Sequence, residues 1–204
     1  PWRLASGSRG LNFSPGAPRA NSLVWLTQRF RRGGRGPPHT ARRNSCENVV
    51  KALNAKFADR HFDTLRDANW DDLEAVKGEV SAEDYKRAHF VLGEVDRVLA
   101  VSEALQKGDY ETVGQKMYET HYGLSKEYEV SCEELDYLND LAKENGVTGS
   151  RIMGGGFGGC TINLVKEEVY DKFIGNAKAK FNEKYGHEPQ VIDVVIGDGS
   201  RRIC

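Results

Sequence analysis

The first 41 residues contain no aspartate, no glutamate and no lysine. All 30 acidic residues of this 204-residue chain lie from Glu47 onward. The same 41 residues hold seven Arg, six Gly and five of the six Pro. Taking those seven from the 29 basic residues leaves 22 against 30 acids in the remainder, so two compositions meet near Arg42. A tract of Arg, Gly and Pro without acids cannot bury enough apolar surface to offset its ordering entropy. Within it only Leu23-Val24-Trp25-Leu26 is apolar. A basic arm or an Arg-rich targeting peptide would share this composition, but the rest of the chain offers no matching basic surface and no amphipathic helix is visible. The expectation is that residues 1–41 are aberrant or disordered, with a frameshift ahead of Arg42 as their source, and that residues 42–204 form the domain. Arg with Gly and Pro but without Lys is what GC-rich codons give in a wrong frame.

Other absences exclude whole classes. The four cysteines, Cys46, Cys132, Cys160 and Cys204, form no CxxC pair, which argues against a metal site or a disulfide framework. No apolar run approaches the roughly 18 residues that span a bilayer. The net charge of −1 gives no basic field for nucleic acid. A reduced, cytoplasmic setting without membrane or nucleic-acid partners is expected, with the protein a monomer.

What is present is mostly helical spacing. Val49, Val50, Leu53 and Phe57 predict a helix over 44–58. Asp71 or Asp72 would cap a short helix toward Val76. Ser81 to Asp84 resembles a capping box opening a long helix to about Gln106, with Phe90, Val91, Val95, Val98, Leu99 and Leu105 along one side. Gly108-Asp109 is a stop followed by a new cap, and a helix follows from Tyr110 to about His121. Ser131 to Glu134 reads as a capping box for a helix that buries Leu135, Leu138 and Leu141 and ends near Asn145-Gly146. Residues 160–165 alternate as a strand. Residues 166–185 are helical again, residues 191–196 form a second strand, and Gly197-Asp198-Gly199 turns the chain. The order predicts an α+β domain, a small sheet with helices against one face.

Between the helix ending at Gly146 and the strand at Cys160 lies a glycine-dominated stretch. Gly154, Gly156 and Gly159 match G-x-G-x-x-G, but that dinucleotide fingerprint needs a strand before it and a helix after it. Here the reading gives a helix before and a strand after. No Gly-Lys-Ser/Thr follows, so it is not a Walker loop. Two readings remain open. Glycine permits a tight connection at positive φ, or it lets exposed backbone N–H groups approach a phosphate or sugar closely.

The run Gly149-Ser150-Arg151-Ile152-Met153-Gly154-Gly155-Gly156-Phe157-Gly158-Gly159-Cys160-Thr161 resembles the third signature motif of the GHMP kinases, in its galactokinase form. Arg42-Arg43-Asn44-Ser45-Cys46-Glu47, Arg87-Ala88-His89-Phe90 and the stretches 119–125 and 128–136 resemble other galactokinase segments, in the same order, over about 163 residues of bacterial style. The resemblance implies a ferredoxin-like C-terminal domain, a small antiparallel sheet packed with helices and preceded by helices. It implies a kinase that moves the γ-phosphoryl group of ATP, with Mg2+, to the anomeric hydroxyl of galactose. In that family the phosphate loop and the catalytic groups lie in an N-terminal half whose motifs this chain does not carry. No catalytic residue and no metal ligand is therefore assigned, and the isolated chain is expected to be inactive. The resemblance assigns Gly154, Gly155, Gly156, Phe157, Gly158 and Gly159 to a wall of the cleft. Arg151 would hold that loop, face the cleft or form a structural ion pair. N-acetylgalactosamine, arabinose, or a non-catalytic galactose-binding role are the alternatives. Galactokinases carry a sugar-contacting Tyr four residues before the second Arg of the pair. That position is His39 here, and no sugar role is assigned to it. His89 and His121 read as packed or hydrogen-bonded histidines, Glu134 and Asp136 as solvated residues, and Cys160 as a small core residue.

Overall fold

Val24 and Leu26 point the same way from a strand, and both are fully buried. They belong to β1 (Ser22–Thr27), a strand that the computed structural model places inside the sheet. The structure describes residues 22–27 and 37–194. After β1 come α1 (Pro37–Lys56), α2 (Trp70–Ala75), α3 (Ala82–Lys107), α4 (Tyr110–Lys126), α5 (Glu133–Glu144), β2 (Gly149–Met153), β3 (Cys160–Val165), α6 (Glu167–Tyr185) and β4 (Gln190–Val194). A single 3-10 turn, Leu65–Asp67, precedes α2.

The strands lie in the order β2-β3-β1-β4, each pair antiparallel. Ser22 faces Val165 and Thr27 faces Cys160 on one side of β1. Leu23 faces Val194 and Thr27 faces Gln190 on the other. With α5 before β2 and α6 between β3 and β4, this is the β-α-β-β-α-β arrangement of a ferredoxin-like sheet. The α+β expectation holds, with one difference. Helices α1 to α4 do not precede the sheet; they are inserted between β1 and α5.

Side chains alternate across a strand, so each face has its own core. On one face Val24, Leu26 and Val165 pack with Leu138 and Ala142 of α5 and with Phe173, Ala177 and Phe181 of α6. On the other, Leu164 meets Ala104, Val113 and Met117 from α3 and α4. A third cluster joins α1, α2 and α3 through Val49, Leu53, Phe62, Leu65, Leu73, Ala88 and Leu92. Helix α4 approaches β2 so closely that a methyl on Gly114 would lie 2.0 Å from the Thr148 carbonyl oxygen; only glycine fits there.

Several expectations need correction. The division at residues 41 and 42 is not an element boundary, because α1 runs through it. Ser22–Thr27, expected to be aberrant or disordered, forms a central strand. The rest of 1–41, apart from Pro37 to Ala41 in α1, lies outside the described residues, as does the turn at Gly197–Gly199. Strand β2 was read as part of a glycine stretch; a strand, not a helix, precedes the glycine run. Asn69, not Asp71 or Asp72, caps α2, with Asp72 closing the box. Ser81 and Asp109 cap α3 and α4 as expected, and Gly108 ends α3 at φ 70°. Val98 and Leu99 are exposed, because the described elements cover the other sides of the long helix α3. At α5 the cap is Cys132 with no side-chain bond, since the Ser131 hydroxyl is drawn to Asp136.

Candidate functional site

Gly154 to Gly159 join β2 to β3, whose last pair is Met153 opposite Cys160. A dinucleotide fold stays excluded because a strand follows the loop. Gly154, Gly156, Gly158 and Gly159 all take positive φ, and so does Phe157 at 54°. L-residues rarely adopt that conformation. Gly154 and Gly155 are exposed, while Gly156 and Gly158 are buried. Among the described residues, the Phe157 N–H is the loop amide that reaches a carbonyl outside the sheet, Val130 O at 2.6 Å. A methyl on Gly156 would lie 2.2 Å from that same oxygen. The loop is therefore moulded against the segment before α5, with its first two glycines open to solvent.

Helix α1 closes the other side. The His39 ring meets the Phe157 ring edge-on at 5.1 Å between centroids. The Arg42 guanidinium stands 5.1 Å from the centroid of the same ring. Arg42 Nε donates to Tyr128 O (2.6 Å) and Nη2 to Glu129 O (2.5 Å). Burial, then the neighbouring Arg87, push the Arg42 guanidinium below its usual pKa. Glu129, the other non-glycine residue at positive φ among those described (55°), accepts from Lys86 Nζ at 3.0 Å. That bond holds its carboxyl below the usual range.

Behind the loop lies a second polar group. Asp136 accepts from the Ser125 and Ser131 hydroxyls, and His121 Nε2 stands 3.1 Å from its Oδ1. His121 is buried and Asp136 half-buried, so the pair ties α4 to the start of α5. Burial raises the Asp136 pKa, but the bonds from His121, Ser131 and Ser125 outweigh it and bring the carboxyl down to about 2. A depressed carboxylate stabilises the fold fully above its unfolded pKa of about 4, and that stability is lost as pH falls toward 2. After allowance for solvent screening the contribution is about 1–2 kcal/mol. Urea midpoints should therefore drop between pH 4 and pH 2 by more in the native chain than in Asp136→Asn. Equal drops would show that Asp136 carries no such coupling.

The sequence-assigned residues thus divide. Gly154 to Gly159 and Phe157 form one loop. Arg151 lies on β2 opposite Ile162; its Nη1 donates to Ile152 O of its own strand at 3.3 Å, and it pairs with no carboxylate among the described residues. His39 and Arg42 were not assigned to the loop, yet both touch Phe157. His89 is half-exposed beside Glu127 (3.1 Å), and Cys160 is half-buried at the start of β3. Asp136, expected to be solvated, is in the network described above.

Comparison with known proteins matches the model of the family "GHMP kinases C terminal" to residues 101–183, from the end of α3 through the loop into α6. The galactokinase of Clostridium acetobutylicum is 37% identical over 182 residues, 89% of this chain and 46% of that protein. Residues 101–183 carry the C-terminal domain of the GHMP kinases. Human galactokinase is 37% identical over 167 residues, 81% of this chain and 40% of its own length. The crystal structure of Lactococcus lactis galactokinase complexed with galactose superposes with a TM-score of 0.81 at 24% identity, covering 91% of this chain and 47% of that one. That likeness shows a shared fold over the matched residues. The chain spans just under half the length of these relatives. No helix among the described residues is long and apolar enough to cross a membrane.

Proposed function

We propose that this chain supplies one wall of the active-site cleft of a galactokinase, an enzyme that transfers the γ-phosphoryl group of ATP to the anomeric hydroxyl of galactose. The observation that carries the reading is the loop at 154–159 in a chain aligned with galactokinases over 81–89% of its length. Its conformation suits the task. Gly154 and Gly155 are exposed and lack side chains, so a phosphate or sugar oxygen could approach their backbone. Gly156 and Phe157 are fixed from behind by Val130, so the loop would not have to reorganise on binding. Phosphoryl transfer depends on such positioning and on charge stabilisation.

Magnesium is implied by the family and not by the described residues. They contain no group of three or more His, Cys, Asp or Glu side chains able to hold a metal ion, and the exposed part of the loop carries no carboxylate. No step is derived through the metal. The contribution of this chain is to orient and enclose, while the groups that act on the sugar hydroxyl belong to the other wall.

The reading is tested by ADP release on the 204-residue chain, alone and mixed with the N-terminal portion of a galactokinase such as that of C. acetobutylicum. Turnover with galactose is expected only in the mixture. Turnover by the chain alone would overturn the assignment of the chemistry to the other wall. A mixture that turns over arabinose or N-acetylgalactosamine but not galactose would move the substrate.

A further inference from the structure

The two non-glycine residues of left-handed conformation among the described residues, Glu129 and Phe157, are 28 positions apart in sequence and yet both touch Arg42. Arg42 bonds the carbonyl of one and stacks on the ring of the other. Strained residues persist only where their surroundings hold them, and they gather at working sites. We infer that Arg42 is the positioning residue of the glycine loop, through which helix α1 holds the 128–130 turn and Phe157 in register. The inference rests on the cleft-wall reading for its functional meaning, but its physical content does not.

Six contacts build the device. The 128–130 turn is fixed from α3 by Lys86, which bonds the Glu129 carboxylate at 3.0 Å, and by Arg87, 3.6 Å from it. It is fixed from α1 by the two hydrogen bonds of Arg42. The turn then presents Val130 O to the Phe157 N–H, and the Arg42 guanidinium covers the Phe157 ring. A planar fork with several donors can bind two carbonyls and lie on a ring at once, whereas an ammonium cannot. Lysine should therefore not replace it. Arg42 is itself buried, and the neighbouring Arg87 disfavours its charge. Without Arg42, the Phe157 ring keeps only the His39 edge beside it, so left-handed strain should open its hydrogen bond to Val130 more often and shift the loop toward open conformations. The consequence is that the position of α1, and of His39 one turn earlier on it, is coupled to the position of the exposed glycines.

The test is amide hydrogen exchange, followed by mass spectrometry and NMR, on the whole 204-residue chain. In Arg42→Met the amide of Phe157, held by Val130 O, is expected to exchange about tenfold faster or more, while those of Leu138 to Ala142 in α5 and Ile162 to Leu164 in β3 change less than about twofold. Arg42→Lys should give a smaller but clear increase, and it serves if the methionine variant does not fold. Phe157→Gly removes the ring and relieves the strain. In that background Arg42→Met should change loop exchange by less than about twofold, which is the signature of direct coupling. Unchanged loop exchange in both Arg42 variants would overturn the inference. So would equal loosening of every segment, or a full additive effect in the Phe157→Gly background. None of these outcomes depends on phosphoryl transfer, so the inference and the kinase reading can fail separately.

Discussion

Leu26→Asp should unfold the sheet. Leu26 is fully buried on a strand with partners on both sides, packed against α5 and α6. An unpaired carboxylate there must either lose its hydration or take up a proton, at a cost of several kcal/mol. That is comparable with the whole stability of a domain this size, about 5–15 kcal/mol. The milder Leu26→Ala should cost about 2–5 kcal/mol through lost burial and the cavity left behind. Circular dichroism and urea denaturation would read both. A Leu26→Asp chain with the native midpoint would show that β1 is not part of the sheet and that residues 1–41 are dispensable after all.

Gly156→Val should be nearly as damaging, by a different route. Its φ is 77°, where a β-branched residue is strongly strained. Its first side-chain carbon would stand 2.2 Å from the Val130 carbonyl oxygen and 2.8 Å from Val130 Cβ. Both neighbours are anchored, so the loop must move instead, at a cost of about 2–4 kcal/mol. Gly155 is the control. It is exposed, and its nearest neighbour is the exposed His39 ring at 3.3 Å, which can swing away. Gly155→Leu should change stability by less than about 0.5 kcal/mol. In a complemented kinase it should still abolish turnover, because the side chain fills the space a ligand needs. Denaturation midpoints and ADP release would separate the two effects. Full activity in Gly155→Leu would remove the exposed glycines from the site.

The sequence pattern reveals those parts of the fold that depend on neighbours along the chain. The alternation of Cys160 to Val165, the stop at Gly108 and the apolar spacing of α5 are all local, and each is where it was expected. Strand β2 was not legible, because Gly149-Ser150-Arg151-Ile152-Met153 has only Ile152 of β-branched type and is made a strand by α4 and β3. Strand β1 was misjudged in an instructive way. Leu23 to Leu26 have the composition of a buried strand, but the Arg, Gly and Pro around them outweighed four residues. The cap at α5 falls on Cys132 instead, and the Ser131 hydroxyl donates to Asp136 rather than accepting from a helix N–H. For the site, the glycines were visible and their clamp was not. Arg42 and Tyr128 are 86 residues apart, and no periodicity reports such a contact.

The place of β1 in the sheet also governs how the chain can fold. Val24 lies opposite Asn163 and Asp193, so the central strand must wait for partners made well over a hundred residues later. At a synthesis rate of about 5–20 residues per second, roughly ten seconds or more pass with an apolar strand in place and both its edges unpaired. Closing so long a loop costs entropy before any contact rewards it, and pairings this distant are slow to form. The helical segment from α1 to α4, rich in local contacts, can form meanwhile. The sheet should therefore be the late and vulnerable step in the birth of this chain, the stage at which a chaperone or a neighbouring nascent strand would most readily intervene.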